Sequence, residues 1–250
     1  MAATLTLKGR TAVVTGAGSG IGRALALKAA AEGMDLALCD LDAKGLDETV
    51  KAAFGTGVKI TWRVLDVRDE AALAEFAEAT GGDIALVFAN AGLLKTGAVA
   101  EQPAAALRLM LEVNVLGAVQ TAQAFLPRLK AQTAPSAVIF TGSEASFAPF
   151  PNLGGYCATK HALLALAEAM RMELAAEGAP VTAVLFTPGS VETAIFGDQG
   201  TPNPARAIAA ARAAEIAFEG LLAGKGIIAT HGDLNERLDA RLASVKAALG

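Results

Sequence analysis

Thr15-Gly16-Ala17-Gly18-Ser19-Gly20-Ile21-Gly22 follows a short apolar run, Thr11–Thr15, and opens a helical pattern, Gly20–Glu32. A pyrophosphate can sit at such a place only if backbone N–H groups at a helix N-terminus are left bare. Gly16 permits the tight turn, Gly20 the approach of a phosphate, and Gly22 the close packing of helix on strand. The spacing is G-x-x-x-G-x-G, not the commoner G-x-G-x-x-G. Alone it also fits a strand–helix turn with surplus glycine. The strand before it, the helix after it and an acid, Asp40, at the end of the next strand favour a phosphate cradle.

Outward from this loop the pattern repeats. Candidate strands are Thr11–Thr15, Asp35–Cys39, Val58–Leu65, Ile84–Ala89, Ala137–Thr141, Val181–Phe186 and Gly226–Thr230. Several are unbroken apolar runs, as expected of strands covered on both faces. Between them lie helical patterns at Gly20–Glu32, Ala43–Phe54, Glu70–Ala79, Gln102–Lys130, Gly155–Glu177 and Pro204–Leu222, with a last one at Asp233–Leu249. This alternation predicts an α/β fold: one doubly wound parallel sheet of about seven strands flanked by helices. No linker interrupts it, so residues 1–250 are expected to form a single domain. Residues 194–205, with the turn-rich Gly197–Pro204, are expected to be a mobile loop at the substrate.

Composition narrows the function. The 250 residues carry 21 Lys and Arg against 25 Asp and Glu, a net charge of −4. No basic run occurs and aromatics are 5% of the chain, so nucleic acid is not an expected partner. Mean hydropathy is +0.44, yet no run approaches ~18 consecutive apolar residues, so no membrane partner is expected. The excess apolar content points to a thick core and a subunit interface. Two cysteines, Cys39 and Cys157, cannot build a disulfide framework, no Cys/His cluster has metal spacing, and the first residues lack a signal-peptide core. A cytoplasmic location is expected.

Tyr156-Cys157-Ala158-Thr159-Lys160 places a phenol and an ammonium on one helix face. Tyrosine titrates near pH 10, and a neighbouring cation lowers that value, which makes the pair a tunable proton donor and acceptor. The same spacing also fits an ordinary surface contact. Asp40 can accept hydrogen bonds from ribose hydroxyls and repel a 2′-phosphate, or can simply cap the next helix beside Asp42. Asn114, in the apolar context Val113-Asn114-Val115-Leu116, is expected to be buried and hydrogen-bonded to a specific partner. His161 is expected to pack or face solvent, and His231 to sit in a turn.

Together these motifs resemble the short-chain dehydrogenase/reductase family, in its compact branch of about 250 residues. The resemblance rests on Thr15–Gly22, Asp66-Val67, Asn90-Ala91-Gly92, Asn114, Ser143, Tyr156-x-x-x-Lys160 and Pro188-Gly189 with Thr193, in family order over roughly residues 5–196. It implies a Rossmann fold binding a nicotinamide dinucleotide on Gly16, Ser19, Gly20, Ile21, Asp40, Asp66, Val67, Asn90, Tyr156, Lys160, Pro188, Gly189, Val191 and Thr193. It further implies catalysis by Asn114, Ser143, Tyr156 and Lys160. Tyr156 would be the acid/base, Lys160 would hold the ribose and lower the Tyr156 pKa, Ser143 would place the substrate oxygen, and Asn114 would hold a relay water. Asp66 and Val67 would meet adenine, Asn90 would lie at the cofactor and stabilise the fourth strand, and Thr193 would bond the carboxamide.

The chain departs from that family at Ala89, where many members have a second Asn. It departs again after Thr230, where His231-Gly232-Asp233 and a helix replace the segment that builds the usual tetramer. Residues 206–250 are therefore family-divergent, and a homodimer through the two long helices is expected. With Asp40 present and no cation at Ser19 or Leu41, the expected cofactor is NAD(H) rather than NADP(H). Leu94, Phe150 and Phe196, with Ser143 and Tyr156, are expected to contact the substrate, and Phe147, Asn152, Leu153 and Ile195 to flank it. The expected reaction interconverts a largely apolar secondary alcohol and its ketone. An NADP-dependent reductase, an epimerase or dehydratase, and a dinucleotide-sensing protein without catalysis are the alternatives.

Overall fold

The computed structural model describes residues 5–199, 204–232 and 235–249. Its centre is one sheet of seven parallel strands: β1 (Thr11–Thr15), β2 (Asp35–Asp40), β3 (Ile60–Val64), β4 (Ile84–Ala89), β5 (Ser136–Thr141), β6 (Val181–Thr187) and β7 (Ile227–Ala229). The order across the sheet is β3-β2-β1-β4-β5-β6-β7. The chain winds outward from β1 through β3, then returns to β4 on the other side and winds the opposite way. The reversal leaves a crevice at the carboxyl ends of β1 and β4, where sheets of this kind receive ligands.

The unbroken apolar runs follow from burial on both faces. Val14, Leu38, Phe88, Ile139 and Phe186 point into a core formed with α1 (Gly20–Ala31), α2 (Ala43–Ala53) and α7 (Ala210–Leu222). Their neighbours Val13, Cys39, Val87, Phe140 and Leu185 point into a second core under α3 (Glu70–Ala79), α5 (Gly117–Ala131) and α6 (Gly154–Ala176). The two edge strands depart: the last four residues of β3 are exposed, with Trp62 at 48%, and Ile227 and Ala229 of β7 are exposed. At the opposite pole Arg10 bolts strand starts together. Its guanidinium donates to Thr6 O, Pro135 O and Ile84 O and pairs with Asp83 at 3.0 Å.

Two expected helices are each divided. The pattern Gln102–Lys130 forms α4 (Ala104–Leu111), a π-turn Glu112–Leu116, and α5. The π-turn inserts an extra residue per turn and rotates Asn114 inward, a device common at functional sites. By length and composition Ala104–Ala131 could cross a membrane; in the fold Met110, Asn114, Ala118, Ala122 and Phe125 are buried, while Leu111 and Leu116 are exposed. The pattern Pro204–Leu222 is a 3-10 turn, Pro204–Arg206, then a short bridge from Ile208 to Val191, then α7. The chain ends in α8 (Asn235–Leu249). Of the turn-rich Gly197–Pro204, residues 200–203 lie outside the described residues.

Candidate active site

The crevice is a cleft of about 890 Å³, within the usual span of ligand sites. At its centre Gly16 turns the chain at φ 67°, a left-handed conformation that glycine adopts without strain. Ser19, the residue before α1, is exposed and offers no side-chain cap, so the helix's first N–H groups are bare. Thr15 locks the loop to β4: its Oγ1 accepts from Asn90 N (3.0 Å) and Ala91 N (3.1 Å). Asn90 Nδ2 donates to Thr15 O at 3.0 Å, and its Oδ1 accepts from Thr141 Oγ1 at 3.2 Å. Asn90 thus ties three strand ends around the crevice.

One end of the cleft is acidic and half open. Asp40 Oδ2 accepts from Gly18 N at 2.7 Å and Oδ1 from Asp42 N at 2.8 Å. Each oxygen keeps a free lone pair for a ribose hydroxyl. Asp42, not Asp40, caps α2 by accepting from Lys44 N. Asp66, after β3, accepts from Arg68 through both oxygens at 3.0–3.1 and 2.6 Å. The guanidinium holds its carboxyl below the ordinary carboxylate range. Leu41 and Val67 flank this end.

The other end is closed and apolar. Tyr156 is 8% and Lys160 4% exposed. The Ser143 side chain stands beside the Tyr156 phenol and favours its charged form; its hydroxyl accepts from Ala145 N, capping the turn that follows β5. Lys160 Nζ donates to Thr141 O at 2.8 Å and lies 5.5 Å from the centre of the Tyr156 ring. One of its three donors is thereby used; the others are left for a ligand. Burial pushes Tyr156 up to about 12 and Lys160 down to about 8, because each loses solvation in its charged form. The lowering that opposes burial at Tyr156 comes from Ser143 and not, as expected, from Lys160.

Asn114, 1% exposed, has the expected specific partners: Oδ1 accepts from Leu93 N at 2.8 Å, and Nδ2 donates to Leu93 O and Thr159 Oγ1. It joins the segment after β4 to the reactive helix.

Most expected contact residues reach the cleft: Gly16, Ser19, Gly20, Ile21, Asp40, Asp66, Val67, Asn90, Leu94, Pro188, Thr193, Ile195 and Phe196. Two do not. Gly189 and Val191 face away from it: Gly189 N donates to Thr230 Oγ1, and Val191, 4% exposed, bridges to Ile208. Phe150 and Leu153 pack behind the wall with Leu94, Tyr156 and Phe196; Phe147 belongs to the core under α6. Leu93, Leu109 and Val113 line the wall and were not expected. Leu109 and Val113 are four apart across the start of the π-turn, a spacing that could have marked them.

The glycine loop on a bare helix end, an acid across from it and a buried phenol–ammonium pair define a dinucleotide-binding site of oxidoreductase type. Comparison with known proteins agrees. The short chain dehydrogenase family signature matches residues 10–203. A 1-deoxy-11-beta-hydroxypentalenate dehydrogenase of Streptomyces avermitilis is 33% identical over 240 residues, covering 93% of this chain and 88% of that protein. A short chain dehydrogenase/reductase of Burkholderia phymatum, solved in complex with NAD, superposes with a TM-score of 0.90 at 28% identity, covering 97% and 96% of the two chains. An alcohol dehydrogenase of Thermococcus sibiricus, complexed with 5-hydroxy-NADP, gives 0.80 at 30% identity, over 89% and 96%. The chain belongs to the short-chain dehydrogenase family.

Proposed function

We propose that the protein interconverts a largely apolar secondary alcohol and its ketone, with NAD(H) preferred over NADP(H). The observation that carries this reading is the buried Tyr156–Lys160 pair, with Ser143 beside it, at the apolar end of a cleft whose other end presents Asp40. A bound nicotinamide dinucleotide supplies the hydride donor or acceptor. The protein's own residues handle the proton and the geometry. In reduction, Tyr156 Oη gives its proton to the substrate oxygen as the carbonyl carbon gains hydride, while the Ser143 hydroxyl holds that oxygen. Lys160 has donors for the ribose and returns a proton to Tyr156, and Asn114 holds the segment through which solvent would be reached. In oxidation the same proton travels the other way.

The dinucleotide fits the residues present: bare N–H groups at α1, Asp66 and Val67 for adenine, and Thr193 beside Gly20. A Cβ on Gly20 would lie 3.0 Å from Thr193 Cγ2, so loop and Thr193 close on the same space. Asp40 supports NAD(H). At an effective dielectric of ~20, two charges ~4 Å apart repel by roughly 4 kcal/mol, an upper bound on the cost of a 2′-phosphate. Arg23 offers no relief, since its guanidinium is engaged by Gly18 O, Gly45 O and Glu48. The apolar wall of Leu93, Leu94, Leu109, Val113, Ile195 and Phe196 supports an apolar substrate. The Streptomyces relative is named for a hydroxylated substrate, in keeping with an alcohol donor. Leu111, Leu116 and Met172, exposed on the two long helices, support a homodimer there.

The test is oxidation of NADH and of NADPH with cyclohexanone, trans-1-decalone and menthone, set against anionic keto acids and keto sugar phosphates. NADH with the alicyclic ketones is expected to give the highest kcat/KM. Tighter binding of NADPH would overturn the cofactor reading, and preference for the anionic ketones the substrate reading.

A further inference from the structure

Glu144 directly follows Ser143, yet nothing in the proton chemistry uses it. It is 7% exposed, and both carboxylate oxygens face Arg206: Oε1 is 2.7 Å from Nη2 and Oε2 3.3 Å from Nη1. Arg206 ends the turn from which the chain returns to the cleft-forming segment. There Ile208 N donates to Ser190 O at 3.1 Å, and Glu192 N donates to Ile208 O at 3.0 Å. His231 completes the group. Its Nε2 donates to Arg206 O at 2.9 Å, because a carbonyl can only accept. The Thr230 hydroxyl lies 2.7 Å from Nδ1 and accepts from Gly189 N. A Cβ on Gly189 would overlap Glu144 Oε1 and His231 Nδ1, so carboxylate and imidazole close directly over that backbone.

Burying a carboxylate and a guanidinium is costly, and an apolar pair of similar volume would serve stability as well or better. The pair joins two segments directly and, through the Ile208 backbone bonds, a third. One carries Ser143, one carries Thr193, Ile195 and Phe196, and one is the return from Arg206 to Ile208. We propose that Glu144, Arg206 and His231 form a clasp that positions Ser143 against the substrate wall. Glu144 touches no reacting atom and is a positioning residue. The clasp deepens the alcohol/ketone reading and rests on it.

The experiment compares Arg206→Met, Arg206→Lys, Glu144→Gln and the double variant Glu144→Gln/Arg206→Met with wild type. The probes are NADH and whichever of the three alicyclic ketones the wild type reduces best. Arg206→Met should lower kcat about tenfold or more, since small misplacement of a reacting group is expensive, and should raise the ketone KM. Its NADH Kd should stay within about twofold, because backbone bonds to Ile208 still hold the Thr193 segment. Arg206→Lys, which keeps the cation, should recover part of the loss. The double variant should be no worse than Arg206→Met, as coupled partners are not additive. Amide hydrogen exchange, which needs no ketone, should quicken over residues 143–148 in Arg206→Met and Glu144→Gln and stay unchanged over 190–196. Wild-type kcat and KM in Arg206→Met, additive losses, unchanged exchange over residues 143–148, or NADH affinity lost in step with kcat would each overturn the clasp. A wild type that reduces no ketone with either dinucleotide would overturn the catalytic reading instead, and exchange would still judge the clasp.

Discussion

The two ends of the cleft are built on opposite principles. At the adenosine end, Asp40 and Asp66 are half-buried, and their partners are backbone N–H groups and one exposed arginine. At the reactive end, Tyr156 and Lys160 are almost wholly buried, and desolvation pushes Tyr156 up to about 12 and Lys160 down to about 8. Recognition can be performed by charges that remain in water, because it needs only shape and sign. Proton transfer needs groups held at fixed geometry away from bulk water, and burial supplies that, although for Tyr156 it moves the phenol further from neutrality. The open end should therefore respond weakly to substitution and the closed end strongly.

The largest expected effect is at Tyr156. Tyr156→Phe should lower kcat by about 10³-fold or more, the upper range of a lost acid/base with its positioning, and leave NADH affinity within about twofold by titration. A variant that still turns over at the wild-type rate would erase the contrast between the two ends. Lys160 gives a test with two signs. Its folded-state value, about 8, lies below the ordinary 10.5. Stability should thus rise as pH passes upward through 8 towards 10.5, where the unfolded chain still binds the proton. Lys160→Met should raise Tm at pH 7 by several degrees, removing a buried cation worth about 2–3 kcal/mol of penalty. It should also cost most of the activity. A lower Tm at pH 7 would mean that the Thr141 bond outweighs the lost solvation.

Asp40→Ala should narrow the preference for NADH over NADPH by about 10–100-fold, well inside the Coulomb bound, because the site is half open to solvent. Equal ratios in wild type and variant would remove the carboxylate as the discriminator. The smallest effect is at Arg68. Arg68→Ala should return the Asp66 carboxyl towards its ordinary range and weaken NADH by less than about threefold, as an exposed ion pair is worth ~0–1 kcal/mol. A tenfold loss would show that the guanidinium itself contacts the adenine.

What the chain discloses from its letters follows the same division. The glycine loop, Asp40, Asn90 and the Tyr156–Lys160 pair are local statements: a turn that needs no side chain, an acid at a strand end, two residues one helical turn apart. Such features are legible because sequence neighbours decide them. The π-turn at Asn114 was foreshadowed only by a polar residue among apolar ones; nothing in helix propensity marks the extra residue. Glu144 with Arg206, separated by sixty-two positions, and the outward turn of Gly189 and Val191 depend on segments meeting in space. His161 shows the same limit. It bonds Cys157 O, one turn back, at 2.8 Å as a helix residue can, but it also meets Arg241 of α8, which no local pattern announces. The exposure of β3 is likewise a property of its place at the sheet edge rather than of its apolar letters.

That edge has an optical consequence. Trp62 is the only tryptophan in the chain, and it stands half in water on β3. The emission of the folded protein therefore comes from a single indole that is already hydrated. It should lie towards the red and shift little on denaturation, so tryptophan fluorescence is a poor gauge of unfolding here. The same indole is on the strand that leads into Asp66, at the adenosine end of the cleft. With no second tryptophan to dilute the signal, its quenching by a reduced dinucleotide reads occupancy of the cleft as a one-donor, one-acceptor pair.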